Sequence, residues 1–139
     1  IVDSRSMPDV NIQHIMAVAL VDGFIDFENS HSFERMSDPQ VLAARDRVEL
    51  IADPDLVVLD ALRSGFVEVT TTDGRRVNLF VSHAPGTPEN PLTTEDVAAK
   101  ARVLMAPVLG ADRTEELIVQ IDQLESLADI RELRKLLSA

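Results

Sequence analysis

Cysteine is absent from this sequence of 139 residues, and lysine occurs only at Lys100 and Lys135. Without cysteine the chain has no disulfide framework, no cysteine-ligated zinc site and no thiol nucleophile, although the redox compartment stays open. Two lysines are too few for a polybasic membrane anchor. Thirteen basic against 24 acidic residues give a net charge of −11. That balance argues against a nucleic-acid partner, because phosphates must be neutralised by lysine and arginine.

Long apolar runs and a leader-like start are also missing. The longest apolar run covers residues 15–21, far short of the roughly 20 residues that cross a bilayer, so we expect no membrane partner. No charged start followed by an apolar stretch and a cleavage site opens the chain. Because the chain begins at Ile1, in what reads as the middle of a loop, we expect a piece of a longer protein.

What remains is a globular composition, with 45% hydrophobic and 27% charged residues. This is apolar enough for a core and too apolar for general disorder. The length suits one compact domain.

A buried helix is predicted near the start, over residues 10–22, with Asp9 as its N-cap and Gly23 as its stop. Apolar residues recur at the spacing of one helix face and also occupy the opposite face, so we expect burial nearly all round. The uncharged polar side chains crowd its first turn, at Asn11, Gln13 and His14.

A β-hairpin is predicted over residues 66–81, where apolar and polar residues alternate on both sides of Asp73-Gly74. A two-residue turn at Asp73-Gly74 would give a register in which the apolar residues of the two strands do not share one face. A three-residue loop, Thr72-Asp73-Gly74, instead pairs Val69 with Val77 and Val67 with Leu79, with Gly74 left-handed in a G1 bulge.

The other segments favour short elements. We predict helical turns over residues 24–37, a helix from Asp38-Pro39 to about Arg45 and a strand over residues 47–52, while residues 56–62 stay open between strand and helix. A helix capped by Thr93 or Thr94 should run to about Met105, and another should begin at the capping-box-like Asp112. The order indicates an α+β fold with a mainly antiparallel sheet and helices packed on it.

One candidate site emerges, at the start of the first helix. Unpaired backbone N–H groups and the helix dipole favour an anion there, and Arg5, Ser6, Asn11 and Gln13 could complete a donor-rich pocket for a carboxylate. His14 could transfer protons near neutral pH. The alternatives are a buried imidazole bonded to backbone carbonyls and a half-exposed cap. His31 and His83 read as loop residues, too scattered to propose a metal site with His14.

Several segments, in order along the chain, resemble the C-terminal domain of the MmgE/PrpD family, over essentially all 139 residues. They are Asn11-Ile12-Gln13-His14-Ile15-Met16-Ala17-Val18-Ala19-Leu20-Val21-Asp22-Gly23, Arg47-Val48-Glu49-Leu50 before Asp53-Pro54, Val67-Glu68-Val69 leading into Thr72-Asp73-Gly74-Arg75, Gly86-Thr87-Pro88-Glu89-Asn90-Pro91-Leu92-Thr93-Thr94-Glu95-Asp96-Val97 with Lys100, and Leu124-Glu125-Ser126-Leu127 with Asp129-Ile130.

The resemblance implies lyases and isomerases of small polycarboxylic acids, such as 2-methylcitrate dehydratase, cis-aconitate decarboxylase and iminodisuccinate epimerase, which need no metal or organic cofactor. It implies a large helical domain, an α+β lid and commonly a cytoplasmic homodimer. In several relatives a lid tyrosine faces the active site at the position of His14, which would make His14 catalytic. Arg5 and Ser6 lie in the loop that approaches the same site.

By this resemblance residues 1–111 form the lid-type domain, and residues 112–139 pack on a helical domain that this chain lacks. Without that partner, an apolar stripe would be exposed at Leu117, Ile121, Leu124 and Leu133. The leading hypothesis is the lid of a cofactor-independent lyase or isomerase that is inactive by itself. The alternatives are a non-catalytic module docking on a helical partner and a stand-alone small-molecule-binding α+β domain.

Overall fold

The computed structural model describes residues 1–56 and 64–137. The chain forms two compact units, unit 1 over Ile1–Pro54 and unit 2 over Asp55–Ala139. Residues 57–62, which the sequence leaves open between strand and helix, lie outside the described residues.

The first helix of unit 1, α1, spans Ile12–Asp22 and ends as predicted, with Gly23 in the left-handed region at φ +79°. Its predicted N-cap is wrong. Asp9 lies in a 3-10 turn, Pro8–Val10, and the backbone becomes extended at Asn11, the conformation that an N-cap requires. The side chain of Asn11 therefore caps α1, with its oxygen accepting the backbone N–H of His14 at 3.0 Å.

Burial of α1 on all sides is also wrong. Ile12 is 46% and Leu20 54% exposed, whereas Gln13, His14, Ala17 and Val18 are buried. One face of α1 packs on a neighbouring helix within unit 1, so the polar groups of the first turn share the buried face.

That neighbour is α3, spanning Pro39–Arg45, which begins as predicted with Asp38 as N-cap and proline at the first helical position. Ala17, Val18 and Val41 are fully buried between the two helices, with Val21 and Ala44 packed against them. The helical turns predicted over residues 24–37 are α2, Phe27–His31, and a 3-10 turn, Arg35–Ser37.

The strand predicted over residues 47–52 is absent from unit 1. No strand pairs with the segment, and two of its carbonyl oxygens accept hydrogen bonds from other donors. The side-chain amide of Gln13 donates to Val48 O at 2.7 Å, and the backbone nitrogen of Ile1 donates to Leu50 O at 2.9 Å. An extended segment becomes a strand only when another strand pairs with it.

Unit 2 contains the predicted hairpin, formed by β1, Gly65–Thr70, and β2, Arg76–Val81. The strands are antiparallel in the predicted register, with Val69 opposite Val77 and Val67 opposite Leu79. Gly74 has φ +83°, and its N–H donates to Thr71 O at 2.9 Å, which closes the three-residue loop. Helices with an antiparallel two-stranded sheet confirm the α+β class.

The helix α4 spans Thr94–Leu109 and starts in a capping box between Thr93 and Asp96. It continues past the predicted end near Met105 and through Pro107 to Leu109, and Gly110 ends it. Among residues 1–56 and 64–137, no helix combines the length and the apolarity that crossing a lipid bilayer requires.

The next helix, α5, spans Ala111–Asp122 and packs on α4. Gly110 precedes it without a side-chain cap, so the capping box predicted at Asp112 is wrong. Leu117 is only 1% exposed and therefore lies outside the predicted apolar stripe, whereas Ile121 and Leu124 are exposed. The remaining elements are 3-10 turns at Pro54–Leu56, Leu124–Ser126 and Ile130–Lys135.

Candidate functional site

The side chain of Asp3 joins the N-terminal segment to the start of α1. It is 4% exposed, and its carboxylate accepts the backbone N–H of Ile12 at 2.9 Å. The same carboxylate accepts the backbone N–H of Arg5 at 3.1 Å and the guanidinium of Arg5 at 2.8 and 2.5 Å. The Arg5 guanidinium, with these backbone N–H groups, holds the pKa of Asp3 well below its usual range. The predicted anion position at the helix N-terminus is thus occupied by the chain's own carboxylate.

The amides of Asn11 and Gln13 hold this arrangement from the helix side. Asn11 Nδ2 donates to Arg5 O at 2.7 Å and to Asp3 O at 3.2 Å. Gln13 Oε1 accepts the backbone N–H of Asp3 at 2.7 Å, while its Nε2 reaches Val48. Both side chains are buried, so their polar groups tie together backbone segments distant in sequence.

Arg5 and Ser6, by contrast, lie at the surface. The Arg5 side chain is 56% exposed although it is paired with Asp3. Ser6 is exposed and makes no hydrogen bond within the described part of the chain. The structure therefore brings Arg5, Asn11 and Gln13 together around Asp3 and leaves Ser6 beside them in the same segment.

His14 is buried with an unpaired ring nitrogen. The residue is 1% exposed, and its Nε2 has no hydrogen-bond partner within the described residues. Burial lowers the pKa of His14 below its usual value, and the positive charges of Arg45 and Arg35 lower it further. The ring is therefore neutral near pH 7. A neutral imidazole can accept a proton at one nitrogen and donate one from the other.

Arg45 is a residue that the sequence did not associate with this site. It is the last residue of α3, and its guanidinium donates to Asp3 O at 3.3 Å across 42 residues of sequence. Its signal in the sequence was weak: an arginine beside Arg47 at a helix end, in a chain rich in carboxylates.

Ser30, His31 and Asp9 lie near one another like the nucleophile, base and acid of a catalytic triad. Their hydrogen bonds exclude these roles. His31 Nδ1 lies 3.0 Å from Ser30 Oγ and 2.8 Å from Phe27 O. Since a carbonyl only accepts, Nδ1 must carry the proton and cannot receive the serine proton. The hydroxyl of Ser30 also donates to Asp26 O.

A second group of carboxylates surrounds Arg35 in unit 1. Its guanidinium pairs with Asp22 and Asp38, in a groove also lined by Asp26 and Glu34. Within residues 1–56 and 64–137, no set of three histidine or carboxylate side chains is placed to hold a metal ion. We interpret the ion pairs of this groove as a network that stabilises the start of α3.

Comparison with protein families matches residues 3–126 to the model of the MmgE/PrpD C-terminal domain. The matched span contains Asp3, Arg5, α1 with His14, and Arg45. Comparisons with curated proteins and with solved structures returned no match.

Proposed function

This chain belongs to the MmgE/PrpD family, as its C-terminal domain, and we propose that it is the lid of a cofactor-independent lyase or isomerase. The substrate would be a small di- or tricarboxylate, as in 2-methylcitrate dehydratase, and the reaction a proton transfer at the carbon next to a carboxylate. The proposal includes a preceding helical domain, a homodimer and a cytoplasmic location.

Beside the family, the observation that supports the proposal is the buried ring of His14 with its unpaired Nε2. Proteins generally pair their buried polar atoms, so an unpaired buried Nε2 calls for an explanation. Its neutral form suits a group that receives a proton from, or returns one to, a substrate carbon near neutral pH. Because the ring is 1% exposed, the proposal requires its surroundings to move when substrate binds.

We assign the predicted substrate-binding residues by their exposure. Arg5 and Ser6, at the surface beside the start of α1, would contact a substrate carboxylate directly. Asn11 and Gln13 would act through the backbone that their amides hold. Arg5 would then exchange its partner Asp3 for the substrate, since a guanidinium binds carboxylates in a bidentate manner.

The first experiment locates the catalysis. The 139-residue chain and the complete protein, with its preceding domain, are assayed for 2-methylcitrate dehydration, cis-aconitate decarboxylation and iminodisuccinate epimerisation. We expect turnover of one acid by the complete protein and none by the chain alone. Turnover by the chain alone would refute the claim that catalysis needs the preceding domain. No turnover by the complete protein would refute the assigned chemistry.

The second experiment addresses His14. In the complete protein, His14→Ala should lower kcat/KM by about ten-fold or more. His83→Ala is the matched control, because the His83 side chain lies in unit 2 and is 30% exposed. Equal values for the two variants would make His14 a structural residue.

The exposed apolar residues of the C-terminal part favour docking on another domain. Such docking could serve a catalytic lid or a module without catalytic activity. Ile121 and Leu124 are 51% and 42% exposed, beyond the buried Leu117. We propose that residues 112–139 pack on the helical domain, and that a non-catalytic docking module is the second candidate function. Light scattering of the chain mixed with that domain should show a complex, and separate monomers would contradict both docking ideas.

A further inference from the structure

Most arginines of the described residues are neutralised by carboxylates, whereas two that are separated by a single residue are not. Ion pairs hold the guanidinium groups of Arg5, Arg35, Arg75, Arg76, Arg102 and Arg131. Within the described residues Arg45 and Arg47 have no carboxylate at ion-pair distance. With 24 acidic residues available, two arginines without a carboxylate partner, separated only by Asp46, are an exception that the surface composition does not explain.

Both arginines line the same cleft of unit 1, at the end of α3. The cleft has a volume of about 630 Å³, and the buried amide of Gln13 also lines it. Arg45 is half-buried and bonded to the backbone oxygen of Asp3, which directs its guanidinium without neutralising it. Asp46 and Glu49 also line the cleft, but both are exposed, so water and salt screen their charges.

We propose that this cleft is an anion subsite that takes one carboxylate of the substrate, with Arg45 and Arg47 as its ligands. The proposal rests on the function proposed above and adds the place where a second carboxylate of the substrate binds. A half-buried guanidinium already held by a backbone carbonyl loses little freedom on binding. Its remaining donors match the two oxygens of a carboxylate.

The subsite also lies close to the proposed proton-transfer residue. Gln13, which lines the cleft, directly precedes His14 on α1, and the charge of Arg45 acts on the imidazole. A carboxylate bound to Arg45 would offset that charge, so binding would favour the protonated ring. Substrate binding and proton supply would thereby be coupled through one arginine.

Citrate, a stable tricarboxylate, is the probe, and its binding to the 139-residue chain is followed by NMR at the arginine side-chain N–H groups. We expect millimolar citrate to shift the Arg45 and Arg47 signals. Arg45→Gln should weaken binding about ten-fold or more, as expected for the loss of a charge-assisted hydrogen bond. Arg47→Gln should weaken binding too, and because Arg47 is exposed this variant should keep the fold. Arg75→Gln, in the exposed hairpin turn, is the matched control and should change nothing.

In the complete protein, the same variants should raise KM for the acid more than they lower kcat. No citrate-induced shift at Arg45 or Arg47 would overturn the subsite, as would equal affinities of the parent, Arg45→Gln and Arg47→Gln. If the complete protein turns over an acid and neither substitution changes KM, the subsite is overturned while the proposed function stands. Conversely, citrate binding at these arginines without turnover of any acid would keep the subsite and reject the function.

Discussion

Replacing His14 by leucine should stabilise unit 1 while it removes the proposed chemistry. The imidazole is 1% exposed and its Nε2 is unpaired. Leucine has a similar volume, no polar atom and a good helix propensity. A residue kept for function at the expense of stability is expected to show this opposition.

The magnitude follows from the unpaired nitrogen. Leaving a buried polar group without a partner costs about 1–3 kcal/mol, and leucine removes that cost. We therefore expect the free energy of unfolding to rise by about 1–3 kcal/mol near neutral pH in His14→Leu.

The pH dependence adds a second, independent signature. Burial first, and then the charges of Arg45 and Arg35, lower the pKa of His14 below its usual 6.5. Below that pH the unfolded chain binds a proton that the folded chain does not, so the parent loses stability as the pH falls toward the folded-state pKa. The loss is at most about 1.4 kcal/mol per pH unit for one group. His14→Leu lacks the group, so its advantage should grow on acidification.

Urea unfolding followed by far-UV circular dichroism measures both effects, since the sequence contains neither Trp nor Tyr as a fluorescent probe. His83→Leu is the control, with an expected change within about 0.5 kcal/mol for a partly exposed site. A destabilised His14→Leu would refute the reasoning, because it would mean that Nε2 has a partner in solution. A stable variant with unchanged kcat/KM in the complete protein would refute the functional part alone.

Asp3→Asn should lower the thermal midpoint more than Asp73→Asn, because both carboxylates bind the arginine two residues on but only Asp3 is buried and also bonded to α1. Since the pKa of Asp3 is lowered, the ionised carboxylate stabilises the fold above the usual carboxyl range, and this stabilisation is lost as the pH falls through the folded-state pKa. The stabilities of parent and variant should therefore converge in acid. A constant difference in stability at every pH would contradict this. Gly74→Ala should cost about 1–2 kcal/mol from backbone strain alone at φ +83°. Gly65→Ala, without a positive φ, is its control in urea, and equal midpoints would argue against the left-handed turn. Leu117→Ala should cost about 2–5 kcal/mol in unfolding experiments, and a change typical of a surface site would place this side chain in solvent.

Local features of this protein were determined by the sequence itself. Gly23 ends α1, Asp38 and Pro39 start α3, and the alternation around Gly74 sets the register of the hairpin. Each depends on residues a few positions apart, whose backbone preferences and periodicity act without the rest of the fold. The family was recognisable for the same reason, since its segments occur in order along the chain.

Tertiary structure decided the features that depend on which segment folds back on which. Residues 47–52 form no strand, because no second strand pairs with them, and two of their carbonyl oxygens accept hydrogen bonds from Gln13 and Ile1 instead. The helix terminus predicted to bind an external anion receives Asp3 instead. The burial of His14 beside Arg45 likewise arises from the packing of α1 on α3. Long-range hydrogen bonds and desolvation have no periodic signature in sequence, so these properties of the candidate site follow only from the folded chain.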